Sequence, residues 1–386
     1  MPRRVAIVGT GQTNHRSRRR DVNIGEMIHE AVSRCLDDAA LTIDRIDAVL
    51  IGNMEHFEGN HFVDMQLIEY TGGWMKHALK VTTGGTSGSS VAQAGYYHVA
   101  SGHFDTVLTI GWEKQSDGDT TAGLIFQADP WYERPTMSGA IGTFALAASI
   151  YMEKYGITEE QAALVAVKNR GNARNNPHAH LKLSITVEDV MNSRVLAHPI
   201  KLLDMCPASD GACALIFAGE EIAEKITPRP AWVKAAVCRH DQPFNGDLPM
   251  LDRMRTLTAA AKEAYRIAGI TNPIDEIGVA EIYEPCTFAE LAWTEALGFC
   301  GWGEGGRLVE EGVTAMTGRL PVNPSGGVTS TNPIGATAMI RVAEAAIQIM
   351  GKGGARQVPK EVRNALSTGF GGSWWSDVMI LSKEKP

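Results

Sequence analysis

Two glycine-rich turns, one in each half of the chain, restrict the fold more than any other feature. Thr83-Gly84-Gly85-Thr86-Ser87-Gly88 leads into an apolar helix expected from Ser89 to Ala100 and closed by Gly102. Ser325-Gly326-Gly327, then Asn332-Pro333-Ile334-Gly335, leads into a similar helix expected from Ala336 to Met350 and closed by Gly351. Around them, Val- and Ile-rich runs (Val5 to Val8, Ala48 to Ile51, Thr106 to Ile110, Ala214 to Phe217, Trp232 to Val237, Val279 to Tyr283, Val378 to Leu381) alternate with helical patterns. Such alternation predicts an α/β fold with helices on the sheet faces. The repetition predicts two related halves, residues 1–225 and 226–386, about a pseudo-twofold, with a site between them. From Asp117 to about Cys206 the alternation lapses amid Pro130, Pro135, Pro177 and the polar run Asn169 to Asn176, so this stretch is expected to be a loop domain inserted over the first half.

With 386 residues, 44% of them hydrophobic, the chain can fill a sizeable core. Its 36 basic and 44 acidic residues create no field that would gather nucleic acid or an anionic membrane, so neither is an expected partner. The basic opening Met1-Pro2-Arg3-Arg4 is followed by an apolar run that stops at Gly9, which reads as a buried strand and not a signal peptide. No stretch approaches the roughly 20 apolar residues of a membrane span, and a soluble, cytoplasmic protein is expected. The six cysteines (Cys35, Cys206, Cys213, Cys238, Cys286, Cys300) form no CxxC pair, arguing for reduced thiols and against a zinc site in this chain. Gly9-Thr10-Gly11-Gln12-Thr13-Asn14 fails as a dinucleotide fingerprint, lacking the third glycine and the later acidic residue.

Backbone N–H groups at the Thr83 to Gly88 turn are free donors aimed at one spot, suited to an oxyanion or thioester carbonyl, although such a turn also serves backbone geometry alone. Gly369-Phe370-Gly371-Gly372-Ser373-Trp374-Trp375 could supply a second donor set. His56 follows the second strand in a polar loop and is either a proton carrier or a surface residue. Glu281-Ile282-Tyr283-Glu284-Pro285-Cys286-Thr287 ends a strand and precedes an amphipathic helix, Phe288 to Leu297, so its polar groups emerge at a sheet edge. Tyr283 is either a site residue or a core aromatic, and Cys286, the cysteine beside these groups in the sequence, is either reactive or a buried inert thiol. His178 and His180 have no ligand partners at useful spacing and read as solvated.

Taken together the motifs resemble the thiolase superfamily, specifically its sterol-carrier-protein-type, archaeal and bacterial branch. The similarity runs end to end: Val5-Ala6-Ile7-Val8-Gly9-Thr10-Gly11-Gln12-Thr13, Ala100-Ser101-Gly102, Gly111-Trp112-Glu113-Lys114, Ser209-Asp210-Gly211-Ala212, Gly303-Glu304-Gly305-Gly306, Pro321 to Gly327 and Asn332-Pro333-Ile334-Gly335-Ala336-Thr337. The resemblance implies two similar βαβαβ halves in a five-layered αβαβα arrangement, a homodimeric core, and acyl-CoA and CoA as substrates with no covalently bound cofactor. It also implies a small zinc-ribbon/OB-fold protein subunit as partner, which would carry the metal this chain lacks.

The departures change the chemistry. Gly85 stands where the family has its acyl-accepting cysteine, Gly369 where it has its acid/base cysteine, Asn332 where it has the activating histidine, and Tyr283 where it has an Asn or His. An acyl-cysteine mechanism therefore does not carry over. What the resemblance then implies is a cysteine-free thiolysis, or the reverse condensation, of a bulky, benzoylsuccinyl-CoA-like 3-oxoacyl-CoA. Backbone N–H groups of Gly85 and Gly371 would form the oxyanion hole, and Tyr283 and Asn332 would donate to the second oxygen. His56 or Glu284 would move protons, with Cys286 nearby, and Ser87, Gly326, Gly327 and Gly369 would lie against substrate or CoA. Two alternatives stay open: a retro-aldolase on a branched 3-hydroxyacyl-CoA, and a non-catalytic acyl-CoA-binding scaffold.

Overall fold

The structure is a computed structural model and describes residues 3–59, 61–135, 137, 139–241, 253–372 and 375–386. Its strands are β1 (Val5–Gln12), β2 (Ala48–Gly52), β3 (His77–Lys80), β4 (Thr106–Lys114), β5 (Val195–Ala197), β6 (Ile200–Lys201), β7 (Asp210–Gly219), β8 (Ala231–His240), β9 (Val279–Glu281), β10 (Asn364–Phe370) and β11 (Trp375–Ser382). Nine of them join in the order β3-β2-β4-β7-β1-β8-β11-β10-β9, and β5 and β6 form a separate hairpin.

Reading outward from the β1–β8 seam exposes the duplication. β1 pairs antiparallel with β7 as β8 does with β11, β7 pairs antiparallel with β4 as β11 does with β10, and β4 pairs parallel with β2 as β10 does with β9. The halves meet through the short antiparallel pairing of Ala6 with Trp232 and Ile7 with Ala231. β3 has no counterpart in the second half among the described residues.

Five layers follow from where the helices pack. Helix Ile24–Ala39 covers β1 and β7 on one outer face, and helix Arg255–Ala268 covers β8 and β11 on the other. Between the half-sheets lie helices Ser87–Ala100 and Ile334–Met350, packed on each other. Gly9 and Gly11 serve the outer packing: a Cβ at Gly9 would lie 2.8 Å from the Ala39 Cβ, and one at Gly11 would lie 2.5 Å from the Cys35 N. The opening glycines are thus a helix-on-strand contact.

Helix Ile334–Met350 is buried along its whole length, as a helix with partners on every side must be. Its charges are matched inside the protein. Arg341 Nη1 donates to Glu281 Oε2 at 2.6 Å and Ser325 Oγ at 2.8 Å, while Glu344 accepts from Arg356 Nε at 2.7 Å and from Gln12 Nε2 at 2.8 Å. The Gln12–Glu344 bond ties the first strand of one half to the central helix of the other.

The insert between β4 and β7 departs from expectation. Phe144, Tyr151, Ala162 and Val165 share one apolar core with Phe288, Leu291, Trp293 and Phe299, so the loop domain interrupts the first half in sequence but lies over the second. The apolar faces of helices Gly139–Tyr155 and Glu159–Ala173 find their cover on helix Thr287–Ala296. Among the described residues no helix is long and apolar enough to cross a membrane.

Candidate active site

β9 ends at Glu281, so Tyr283 stands in the loop beyond the strand, beside the end of β10 and the N-terminus of the second central helix. Its N–H donates to Thr368 Oγ1 at 2.8 Å, and its ring packs edge-on to Phe370 with centroids 6.1 Å apart. The phenol lies beside the Thr337 hydroxyl. Thr337 Oγ1 in turn donates to Asn332 Oδ1 at 2.8 Å, and Asn332 Nδ2 donates to Cys206 Sγ at 3.2 Å. Thr337, Asn332 and Cys206 therefore form one hydrogen-bonded chain, with the Tyr283 phenol beside its Thr337 end. Burial pushes the Tyr283 phenol well above its ordinary range, so this group holds its proton and donates.

The loop-domain boundaries hold Asn332 in place. Its N–H donates to Ser209 Oγ at 3.1 Å, and its carbonyl accepts from Gln115 Nε2 at 2.8 Å. His180 Nδ1 lies 3.0 Å from the same Ser209 hydroxyl. Arg170, 1% exposed, donates from Nη2 to the Leu203 and Met205 carbonyls at 3.2 Å each, while its buried Nε and Nη1 have no acceptor among the described residues.

Gly85 sits at the mouth of the first turn. A Cβ there would lie 2.5 Å from the Phe370 carbonyl oxygen, so the position excludes a cysteine unless the end of β10 moves. The Gly85 N–H donates to no acceptor among the described residues. It remains a candidate oxyanion donor.

Several expected site residues are used elsewhere. The Gly371 N–H already donates to the Trp375 carbonyl at 3.0 Å, closing the β10–β11 turn, which removes it as an oxyanion donor. Ser87 is fully buried, accepting from Thr83 N at 3.0 Å and donating to the Gly84 carbonyl at 2.7 Å, so it braces the turn. Gly369 is opposite Asp377 in the β10–β11 ladder, where a side chain would run into Ser89 Oγ. Gly326 and Gly327 are buried with φ of 101° and 66°, where Cβ atoms would strike Ala173 and Glu284, so both serve close packing.

Glu284 is sealed, accepting from Asn323 Nδ2 at 2.8 Å, Thr329 N at 3.1 Å and Asn169 Nδ2 at 3.2 Å. Burial and the neighbouring Glu290 push its carboxyl up to about 8, but the group faces this polar hub. Cys286 is fully buried at the start of helix Thr287–Ala296, and burial raises its thiol far above the ordinary range, leaving it inert. His56 is exposed and has no hydrogen bond to the Thr337–Asn332–Cys206 chain among the described residues. His178 and His180 are partly buried, not solvated, and desolvation lowers His178 to about 4. Of the candidates, Tyr283 and Asn332 are brought to either side of Thr337, and Thr337 and Cys206 join them unannounced. The only sequence hint for Cys206 was its place just before Ser209-Asp210-Gly211-Ala212.

Comparison with known proteins decides the family. Residues 5–221 match the family described as thiolase, N-terminal domain, and residues 245–383 match the thiolase C-terminal domain-like family. This chain belongs to the thiolase family. It is 34% identical over 360 residues to an acetyl-CoA acetyltransferase of Methanothermobacter thermautotrophicus, covering 92% of this chain and 93% of that one. It is 30% identical over 387 residues to the benzoylsuccinyl-CoA thiolase subunit BbsB of Thauera aromatica, covering 96% of each. The Ltp2-ChsH2(DUF35) aldolase superposes with a TM-score of 0.86 at 26% identity, covering 100% of this chain and 99% of that one. This thiolase is an acyltransferase-type enzyme acting in CoA thioester chemistry. Among the described residues no group of three or more His, Cys, Asp or Glu is placed to hold a metal ion.

Proposed function

We propose that this thiolase catalyses CoA-dependent cleavage, or the reverse condensation, of a bulky 3-oxoacyl-CoA without an acyl-cysteine intermediate. The observation that carries the reading is Gly85: the nucleophile's position has no side chain and too little room for one, while its N–H meets no acceptor among the described residues and can polarise a thioester carbonyl. CoA itself attacks the 3-oxo carbon, Tyr283 donates to the oxygen that gains charge there, and the leaving thioester enolate rests on the Gly85 N–H. The likeness to the benzoylsuccinyl-CoA thiolase subunit supports a bulky acyl group of that kind.

A retro-aldolase on a branched 3-hydroxyacyl-CoA is the second reading, favoured by the likeness to the Ltp2-ChsH2(DUF35) aldolase. Aldol cleavage must take a proton from the 3-hydroxyl, and a phenol held protonated by burial is poorly suited to that task. A non-catalytic acyl-CoA scaffold accounts least well for the buried polar chain of Thr337, Asn332 and Cys206. CoA dependence separates the three. Cleavage of a 3-oxoacyl-CoA that needs free CoA and yields two thioesters supports thiolysis; cleavage of a 3-hydroxyacyl-CoA without CoA replaces it by the aldolase; inertness toward both classes leaves the scaffold.

A homodimer, a small zinc-ribbon/OB-fold partner and a cytoplasmic setting belong to the same proposal. β3 is an edge strand beside exposed Trp74, Met75 and Leu79 (71%, 87% and 50%), and the name of the aldolase relative joins two components. Sedimentation of the purified chain should give the mass of a dimer; a monomer at micromolar concentration would sink that part.

A further inference from the structure

We infer that Glu284 serves in its neutral form as a positioning residue: through Asn323 and Asn169 it holds the segment that carries Tyr283 against helix Glu159–Ala173 of the loop domain. The part of this inference that concerns turnover depends on the thiolysis reading.

The Asn323 side chain grips both chain neighbours of Tyr283. Its Oδ1 accepts from the Ile282 N–H at 2.8 Å, and its Nδ2 donates to Glu284 Oε2 at 2.8 Å. Asn323 is fully buried with a left-handed φ of 54°, a conformation that persists only where the surroundings over-determine it. Those surroundings come from the loop domain. From helix Glu159–Ala173, Lys168 Nζ donates to the Val322 carbonyl at 2.8 Å and Asn172 Nδ2 to the Asn323 carbonyl at 3.1 Å. Asn169 Nδ2, from the same helix, donates to Glu284 Oε1 at 3.2 Å, and the Thr329 N–H donates to that oxygen at 3.1 Å. One carboxyl thus ties the Tyr283 segment, the turn after Asn323 and the loop-domain helix together.

The charges around it set its protonation. Glu290, on helix Thr287–Ala296, accepts from the same two amides, Asn169 Nδ2 at 2.8 Å and Asn323 Nδ2 at 3.0 Å. Lys168 pairs with Glu290 at 2.8 Å. Arg341, on the second central helix, is paired with Glu281 at 2.6 Å, and the Cys206 and Cys286 thiols, the other titratable groups facing Glu284, are kept protonated by burial. One lysine therefore stands between two sealed carboxyls, 0% and 1% exposed, and a second negative charge here would be buried without a cation of its own. Burial and Glu290 push Glu284 up to about 8, outweighing the amide donors that favour its carboxylate. Its folded value lies above the unfolded one, so its contribution to docking is complete below the unfolded pKa and is lost as pH rises through the folded one.

Two measurements on the full chain test this. Hydrogen exchange of the Glu159–Ala173 helix, corrected for the intrinsic rate, is expected to lose protection by up to about tenfold per pH unit from about pH 5 to about pH 8 and to level off above. Helix Ile24–Ala39, on the opposite outer face, should not share that slope, and Glu284→Gln, which cannot ionise, should abolish it. In steady-state cleavage of a 3-oxoacyl-CoA at about pH 7, Glu284→Ala is expected to lower kcat by about tenfold or more with KM for CoA within about threefold, and Glu284→Gln to restore most of that loss. The ratio of wild-type to Glu284→Gln kcat should fall as pH rises through about 8. The same exchange slope in wild type and Glu284→Gln, or a Glu284→Gln variant as slow as Glu284→Ala, overturns the assignment while thiolysis stands. Wild-type protein that shows no CoA-dependent cleavage overturns the thiolysis reading, and the exchange comparison then decides the docking role by itself.

Discussion

Replacing Tyr283 by Phe is expected to lower kcat for CoA-dependent cleavage by about 10²–10³-fold, the usual effect of removing one donor to a developing oxyanion. The ring keeps its packing on Phe370, and the substitution removes only the hydroxyl beside Thr337. Stability should change by about 1 kcal/mol or less, because Thr337 retains Asn332 Oδ1 at 2.8 Å. CoA affinity by calorimetry should be unaltered. Wild-type kcat in the Tyr283→Phe variant would make the phenol a core aromatic and remove it from the chemistry.

The largest effect on stability is expected at Arg341. Its ion pair with Glu281 has both side chains 0% exposed and an N···O distance of 2.6 Å. Arg341→Met would leave the Glu281 carboxylate buried without its cation, costing about 3–5 kcal/mol. Burial already pushes that carboxyl up to about 7 despite Arg341, above its value in the unfolded chain. The native state then binds more protons than the unfolded state, so this group's contribution is fully present below the unfolded pKa and is lost as pH rises through the folded one. Without Arg341 the native carboxyl holds its proton more tightly still. The deficit of the variant should therefore be smaller at acidic than at alkaline pH. Urea unfolding across that range checks both size and sign; a deficit under about 1 kcal/mol would show that the pair is replaceable by packing.

Much of the scaffold was legible because its signals are local. The turn at Thr83 to Gly88 and the helix behind it, the Asn332-Pro333 start and the Gly351 stop, and the Val- and Ile-rich strands all occur where periodicity and caps place them. β3 (His77–Lys80) and β10 (Asn364–Phe370) were not read, since neither has an apolar run; each is a strand because a neighbour pairs with it.

The candidate site was legible in part. Tyr283 and Asn332 stand at motif positions and do converge. Glu284, next to Tyr283, points instead into a hub of Asn169, Asn323 and Thr329, and the Gly371 amide is spent on Trp375. Sequence neighbours share a backbone position but not a direction, and no spacing rule tells which amide its own fold will consume.

By itself, the sequence determined the duplicated α/β plan, the buried central helices and the missing side chain at Gly85, because these depend on residue type and local period. Only the tertiary structure decided that the loop domain lies over the second half and that Cys206, 126 residues from Asn332, meets it. It also decided which polar groups are left over for chemistry. Those outcomes depend on which apolar faces find cover and which hydrogen bonds close across the chain, quantities that exist only once distant segments are packed together.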